Sequence, residues 1–106
     1  MPGDAVRFRD PMTEDQLQAA VLDLCKLRGL LAYHTHDSRR SQPGFPDLVI
    51  AGSRGHLFRE LKGSRGRTST AQANWLYRLG ASGDAAIWTP ADLRSGRIQK
   101  ELEGIR

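Results

Sequence analysis

The stretch Phe45–Lys62, FPDLVIAGSRGHLFRELK, decides the fold. Leu48-Val49-Ile50-Ala51 is a near-continuous apolar run, the mark of a strand covered on both faces. Gly52-Ser53-Arg54-Gly55 reads as a turn, and His56 to Lys62 returns as a second strand. With a two-residue turn at Ser53 and Arg54, Gly52 faces Gly55, Val49 faces Phe58 and Asp47 faces Glu60. Residues directly opposite in antiparallel strands project to the same face, with β-carbons roughly 4.5–5.5 Å apart. Lys62 lies two residues beyond Glu60, so period-two alternation sends it there as well. The hairpin therefore predicts two carboxylates and an ammonium converging at one end. A slip of one residue in register would turn one carboxylate away.

Outward from the hairpin, the remaining elements follow from periodicity and punctuation. Thr13-Glu14-Asp15-Gln16 fits a capping box, and Leu17, Ala20, Val21, Leu24 and Leu27 keep helical spacing up to Gly29. Leu30 to Thr35 reads as a strand, and Asp37 to Gly44 as a polar, basic loop. After the hairpin, Gly63 to Thr68 is loop. A second helix starts at Ser69 or Thr68, with Gln72 placed for the reciprocal capping bond, and stops at Gly80 or Gly83. Ala85 to Thr89 makes a last strand. Pro90 opens a third helix at its first position, and Ile98, Leu102 and Ile105 suggest a short terminal helix. The order α-β-β-β-α-β-α predicts an α/β fold, a mixed sheet flanked by helices. Residues 1–12 form an irregular lead-in, and residues 13–106 one domain.

A chain of 106 residues with 39% hydrophobic and 26% charged residues is ordinary for a globular protein. No run is long enough to span a membrane and no signal-peptide core is visible, which points to the cytoplasm. Cys25, on the apolar helix stripe, reads as a packed thiol. The formal charge is +4. Arg39, Arg40, Arg54, Arg59, Lys62, Arg65 and Arg67 all fall around the hairpin, where arginine suits forked contacts to phosphate. Charge alone leaves a solvated basic face and a nucleic-acid surface both open.

Two readings of the strand end stay open as well. Lys62 could simply neutralise Asp47 and Glu60 as a salt-bridged edge. Alternatively, paired carboxylates on rigid strands suit Mg²⁺ or Mn²⁺, which take further ligands from water and substrate phosphate. Glu14 heads the core-facing stripe of the first helix, where an acid also suits the helix dipole. Gln72 heads the stripe of Trp75, Leu76 and Leu79, and as a capping residue it already has a structural task. His34 and His36 alternate on a strand, so only one can face the acids, and no cysteine or histidine cluster suggests zinc. Trp75 and Trp88 read as core or dimer contacts.

Pro46-Asp47, a spacer, then Glu60-Leu61-Lys62 resembles the PD-(D/E)xK nuclease signature. The wider pattern adds Glu14 and Gln18, Gly44-Phe45-Pro46-Asp47-Leu48, the basic glycine-rich loop, and Ser69-Thr70-Ala71-Gln72-Ala73-Asn74-Trp75. Together these resemble the VRR-Nuc family in its stand-alone form. The resemblance implies a restriction-endonuclease-like core and a metal-dependent DNA endonuclease, acting in the cytoplasm of a bacterium or of a phage-infected cell. It implies that Asp47, Glu60 and the main-chain carbonyl of Leu61 hold Mg²⁺ or Mn²⁺, with Glu14 at a second ion or its water. Lys62 would serve the attacking water and Gln72 support it. Arg39, Arg40, Arg65 and Arg67 would grip the DNA backbone. Small stand-alone members resemble Holliday-junction resolvases acting as homodimers on branched DNA. Against this stand a catalytically inactive DNA-binding module of the same fold and a non-enzymatic adaptor.

Overall fold

A computed structural model of the chain describes residues 11–35 and 40–106. The first ten residues, His36 and Arg39 lie outside the described residues, and with them most of the lead-in and one of the arginines expected at DNA. Eight elements follow: α1 (Glu14–Leu27), β1 (Leu31–His34), β2 (Leu48–Gly52), β3 (Gly55–Leu61), α2 (Thr70–Ser82), β4 (Ala85–Trp88), α3 (Pro90–Arg94) and α4 (Arg97–Ile105). Sequence periodicity anticipates this order, and the C-terminal helical region resolves into two helices. Gly96, at φ 85°, makes the break between them, a conformation that glycine adopts without strain.

The four strands lie in the order β1-β2-β3-β4. β1 and β2 pair antiparallel, as do β2 and β3, whereas β3 and β4 run parallel through the α2 crossover. The β2–β3 register is the one the turn predicts, with Gly52 opposite Gly55 and Val49 opposite Phe58.

Alternation along β3 divides its side chains between two layers. Leu57, Arg59 and Leu61 join Leu48 and Ile50 on one face, where α1 contributes Leu17, Val21 and Cys25 and α4 contributes Ile98, Leu102 and Ile105. This is the hydrophobic core. Cys25 is buried within it, and burial pushes its thiol up to about 11, which fits a packed group. Trp88 is also fully buried here, with its indole N–H donated to Glu101 Oε1 at 2.9 Å. Phe58 and Glu60 point the other way, toward α2. Phe45 bridges these layers, edge-on to both Phe58 and Trp75 at 6.3 and 5.1 Å. None of the helices in the described residues is long and apolar enough to cross a membrane.

Candidate metal centre

Three segments bring the acids together, each by a traceable local device. Asp47 immediately precedes β2, and its Oδ2 accepts from the main-chain N–H of Leu61 at 2.8 Å, which pins it across the end of β3. Glu60 is the penultimate residue of β3 and 1% exposed. Glu14 opens α1, whose N-terminus is fixed by the Thr13–Gln16 capping box. The helix start is then stitched to the loop after β3. Ser64 N–H donates to Met12 O (2.9 Å) and Met12 N–H to Ser64 Oγ (3.1 Å). Gly63 allows this approach, because a β-carbon there would sit 2.8 Å from the Glu14 nitrogen. As a result, one carboxylate oxygen from each of Glu14, Asp47 and Glu60 lies within 4.8 Å of the others.

Lys62 and Gln72 brace one side of this cluster. Lys62 Nζ is 3.4 Å from Glu60 Oε2 and donates to Gln72 Oε1 at 2.8 Å. Gln72 Nε2 donates in turn to Glu60 Oε2 at 2.6 Å. Gln72 also caps α2, since its Oε1 accepts from Ser69 N–H at 2.9 Å and its own N–H donates to Ser69 Oγ. Gln72 therefore caps α2 and bonds both Glu60 and Lys62, so the cap fixes the side chain that joins them.

Glu60 Oε1 has no hydrogen-bond partner although it is buried. Burial, then the neighbouring Asp47, raise the Glu60 carboxyl from 4.5 to about 8, against the opposing pull of Lys62. Partial burial and Asp47 raise the Glu14 carboxyl too. Such a cluster of crowded acids is costly without a proton or a cation among them. The donor set is all carboxylate oxygen, which suits hard divalent ions. A cleft of about 540 Å³ opens over the acids, walled by Gln42, Pro43, Gly44 and Phe45. Trp75 Nε1–H donates to Pro43 O at 3.1 Å and holds that wall to α2. Gly44, at φ 86°, passes so close to Ala71 that a β-carbon would meet its main chain. The sequence places Gly44 in the wider motif and Gly63 in a loop, but nothing local shows the close approaches the two glycines make.

The basic residues divide. Arg40, Arg65 and Arg67 are exposed, and Arg65 lines the groove beside Glu14 and Gly63. Two other arginines counted around the hairpin are bound within the chain. Arg59 is 1% exposed and bound to Glu101 and Asp84. Arg54 donates to the Glu103 and Arg106 carbonyls at the end of α4. A sequence tally of positive charge cannot separate such structural arginines from free ones. His34 pairs with Leu48 in the β1–β2 ladder, and among the described residues the acid cluster contains no histidine.

A mixed four-stranded sheet that carries Asp, Glu and Lys at one end, with a helix-borne acid beside them, is the arrangement of PD-(D/E)xK nuclease-type domains. The family can be stated more closely: the VRR-NUC domain matches residues 7–89, and the chain belongs to that nuclease family. A solved structure described as a VRR_NUC domain protein shares the fold, with a TM-score of 0.67 over 89% of this chain and 91% of that one, at 22% identity. No curated protein matches.

Proposed function

We propose that the chain is a metal-dependent endodeoxyribonuclease that hydrolyses DNA phosphodiester bonds, selective for branched substrates of the Holliday-junction type and acting as a homodimer. The observation that carries the catalytic part is Glu60 Oε1, buried and unpaired beside two further carboxylates. A salt-bridged strand end needs no such atom, because its lysine would satisfy the acids. An inactive DNA-binding module has no use for clustered acids near phosphate.

Asp47, Glu60 and the carbonyl of Leu61 would hold Mg²⁺ or Mn²⁺, with Glu14 at a second ion or its water. Bound there, the ion supplies Lewis-acid polarisation of the phosphoryl oxygen and a more acidic water. The remaining work falls to the chain. Gln72 fixes Lys62 Nζ and Glu60 Oε2 relative to each other, so that Lys62 orients the attacking water and steadies negative charge on the phosphate. Arg40, Arg65 and Arg67 grip the backbone, contacts that position DNA without reading sequence. Arg39 is proposed in the same role from the sequence alone. Two-fold pairing would set one site on each of two strands.

The test is cleavage of four-way, flap, nicked and plain duplex DNAs in Mg²⁺ or Mn²⁺, wild type beside Lys62→Ala, with molar mass measured in solution. Wild type should cut and the variant should not. A wild type that cuts nothing, or a variant that cuts equally well, refutes the catalytic assignment; a monomer on DNA refutes the assembly.

A further inference from the structure

We propose that a second cleft, on the far side of Lys62 from the acids, seats the nucleotide next to the scissile phosphate, with Arg94 holding that nucleotide's phosphate. The inference rests on the nuclease reading above. This cleft measures about 460 Å³, and its lining includes Lys62, Gly66, Thr68, Ile87, Ala91 and Arg94. Lys62 is the partition. Its ammonium faces Glu60 and Gln72 on the acid side, and the residue also lines the second cleft. A β-carbon at Gly66 would come within 3.1 Å of Lys62 Cδ, so the basic loop lies directly against that side chain. A polynucleotide strand with one phosphate at the acids and passing Lys62 therefore enters this cleft next.

The backbone keeps the two sites in register. Lys62 N–H donates to Trp88 O at 3.0 Å, which starts α3 beside the catalytic lysine. Thr89 N–H then donates to Asp92 Oδ2 at 2.8 Å and fixes the first turn of α3.

The lining fits a nucleotide in two ways. Ile87, Pro90 and Ala91 offer an apolar wall for sugar or base. Arg94 supplies a guanidinium, suited to a forked contact with phosphate oxygens. Arg94 is exposed, and among the described residues no carboxylate pairs with it. The nearest acid in sequence, Asp92, is already bound by Arg97 through Oδ1 and by Thr89 through Oδ2. Arg97, three residues on, is itself held by Glu101 and Asp92. Of these two arginines, Arg94 is the one left for an external anion.

The experiment is fluorescence anisotropy of a labelled four-way DNA junction and a labelled duplex, titrated across a series of salt concentrations. The proteins are wild type, Arg94→Ala, Ala91→Asp and Arg78→Ala. Ala91→Asp places a carboxylate in the cleft wall without removing the arginine. Arg78 is an exposed arginine on α2 and serves as the control. Loss of one phosphate contact should weaken binding on the order of fivefold and lower the salt slope by about one. Arg94→Ala and Ala91→Asp should both show weaker binding, with Arg78→Ala at the wild-type affinity. If wild type binds and both cleft variants match it, the second cleft is not a nucleotide subsite and the nuclease reading is untouched. A wild type that binds neither DNA overturns both.

Discussion

Binding of Mg²⁺ or Mn²⁺ at pH 7 should expel close to one proton from the protein, and the same binding at pH 9 should expel almost none. The reasoning starts from Glu60, whose carboxyl is raised from 4.5 to about 8 by burial and by Asp47. At pH 7 a group with that value is about 0.9 protonated, and at pH 9 about 0.1. A carboxylate must be ionised to hold a cation, so the proton leaves on binding. Titration calorimetry in two buffers of different ionisation enthalpy counts it directly. Affinity should rise with pH between 7 and 9 and then level. In Glu60→Gln the counted proton should disappear and affinity should fall at every pH. Binding that releases no proton at pH 7, with the same affinity at both pH values, refutes the placement of a neutral Glu60 under the cation.

The same group sets the sign of stability against pH in the cation-free protein. Its folded value lies above its unfolded value, so its contribution is fully present below pH 4.5 and is lost as pH rises through about 8. A rise from 4.5 to about 8 is equivalent to about 5 kcal/mol at most. Saturating cation holds Glu60 ionised and should flatten this slope in thermal melts; a melt that steepens with cation contradicts the assignment.

Four further substitutions test the surrounding structure. Glu101→Gln removes the carboxylate that accepts from Arg59 and Trp88; urea unfolding should show a loss of about 3–5 kcal/mol, as for other broken buried pairs, and a loss below about 1 kcal/mol would make Asp84 a sufficient partner alone. Gly44→Ala forces a β-carbon into the main chain of Ala71 at a positive φ; it should destabilise by at least about 1 kcal/mol and weaken cation affinity, whereas wild-type affinity would separate this wall from the acids. Arg65→Ala and Arg67→Ala should each weaken DNA binding broadly and reduce the salt slope by about one, and an unchanged slope removes that arginine from the DNA surface.

The parts of the site legible in the sequence are those governed by short-range geometry. The turn at Gly52–Gly55 sets the β2–β3 register, and register with alternation places Asp47, Glu60 and Lys62 together. Both capping boxes, Thr13 with Gln16 and Ser69 with Gln72, are four-residue patterns that need no tertiary partner. Other features depend on contacts between segments far apart in the chain, and no local pattern carries them. The Gly63 approach to Glu14 is one, and the Gly44 approach to Ala71 another. The burial of Arg59 is a third, since its partner Glu101 lies 42 residues away. Local patterning also fixes only which face a residue takes. Whether that face meets a helix, as at Arg59, or a cleft, as at Lys62, is decided by packing.

Arg59 and Glu60 make the functional argument sharper than either does alone. They are consecutive residues of β3, both 1% exposed, and they send a guanidinium and a carboxyl to opposite faces of one sheet. The guanidinium is provided for in full: Glu101 accepts from Nε and Nη2, Asp84 from Nη1 and Nη2, and the Phe58 carbonyl from Nη1. The Trp88 ring adds a cationic contact at 5.0 Å. The Glu60 carboxyl is served on Oε2, by Gln72 and Lys62, while Oε1 has no hydrogen-bond partner and the group lies in the cluster with Glu14 and Asp47. A buried polar group kept for the fold is hydrogen-bonded, because leaving one unmet costs on the order of 1–3 kcal/mol. The sequence thus meets that requirement on one face of the strand and leaves it unmet on the other, one residue away. On the reading proposed above, the partner that Oε1 lacks is a cation, and the cleft walled by Gln42, Pro43, Gly44 and Phe45 leaves room for it over the acids.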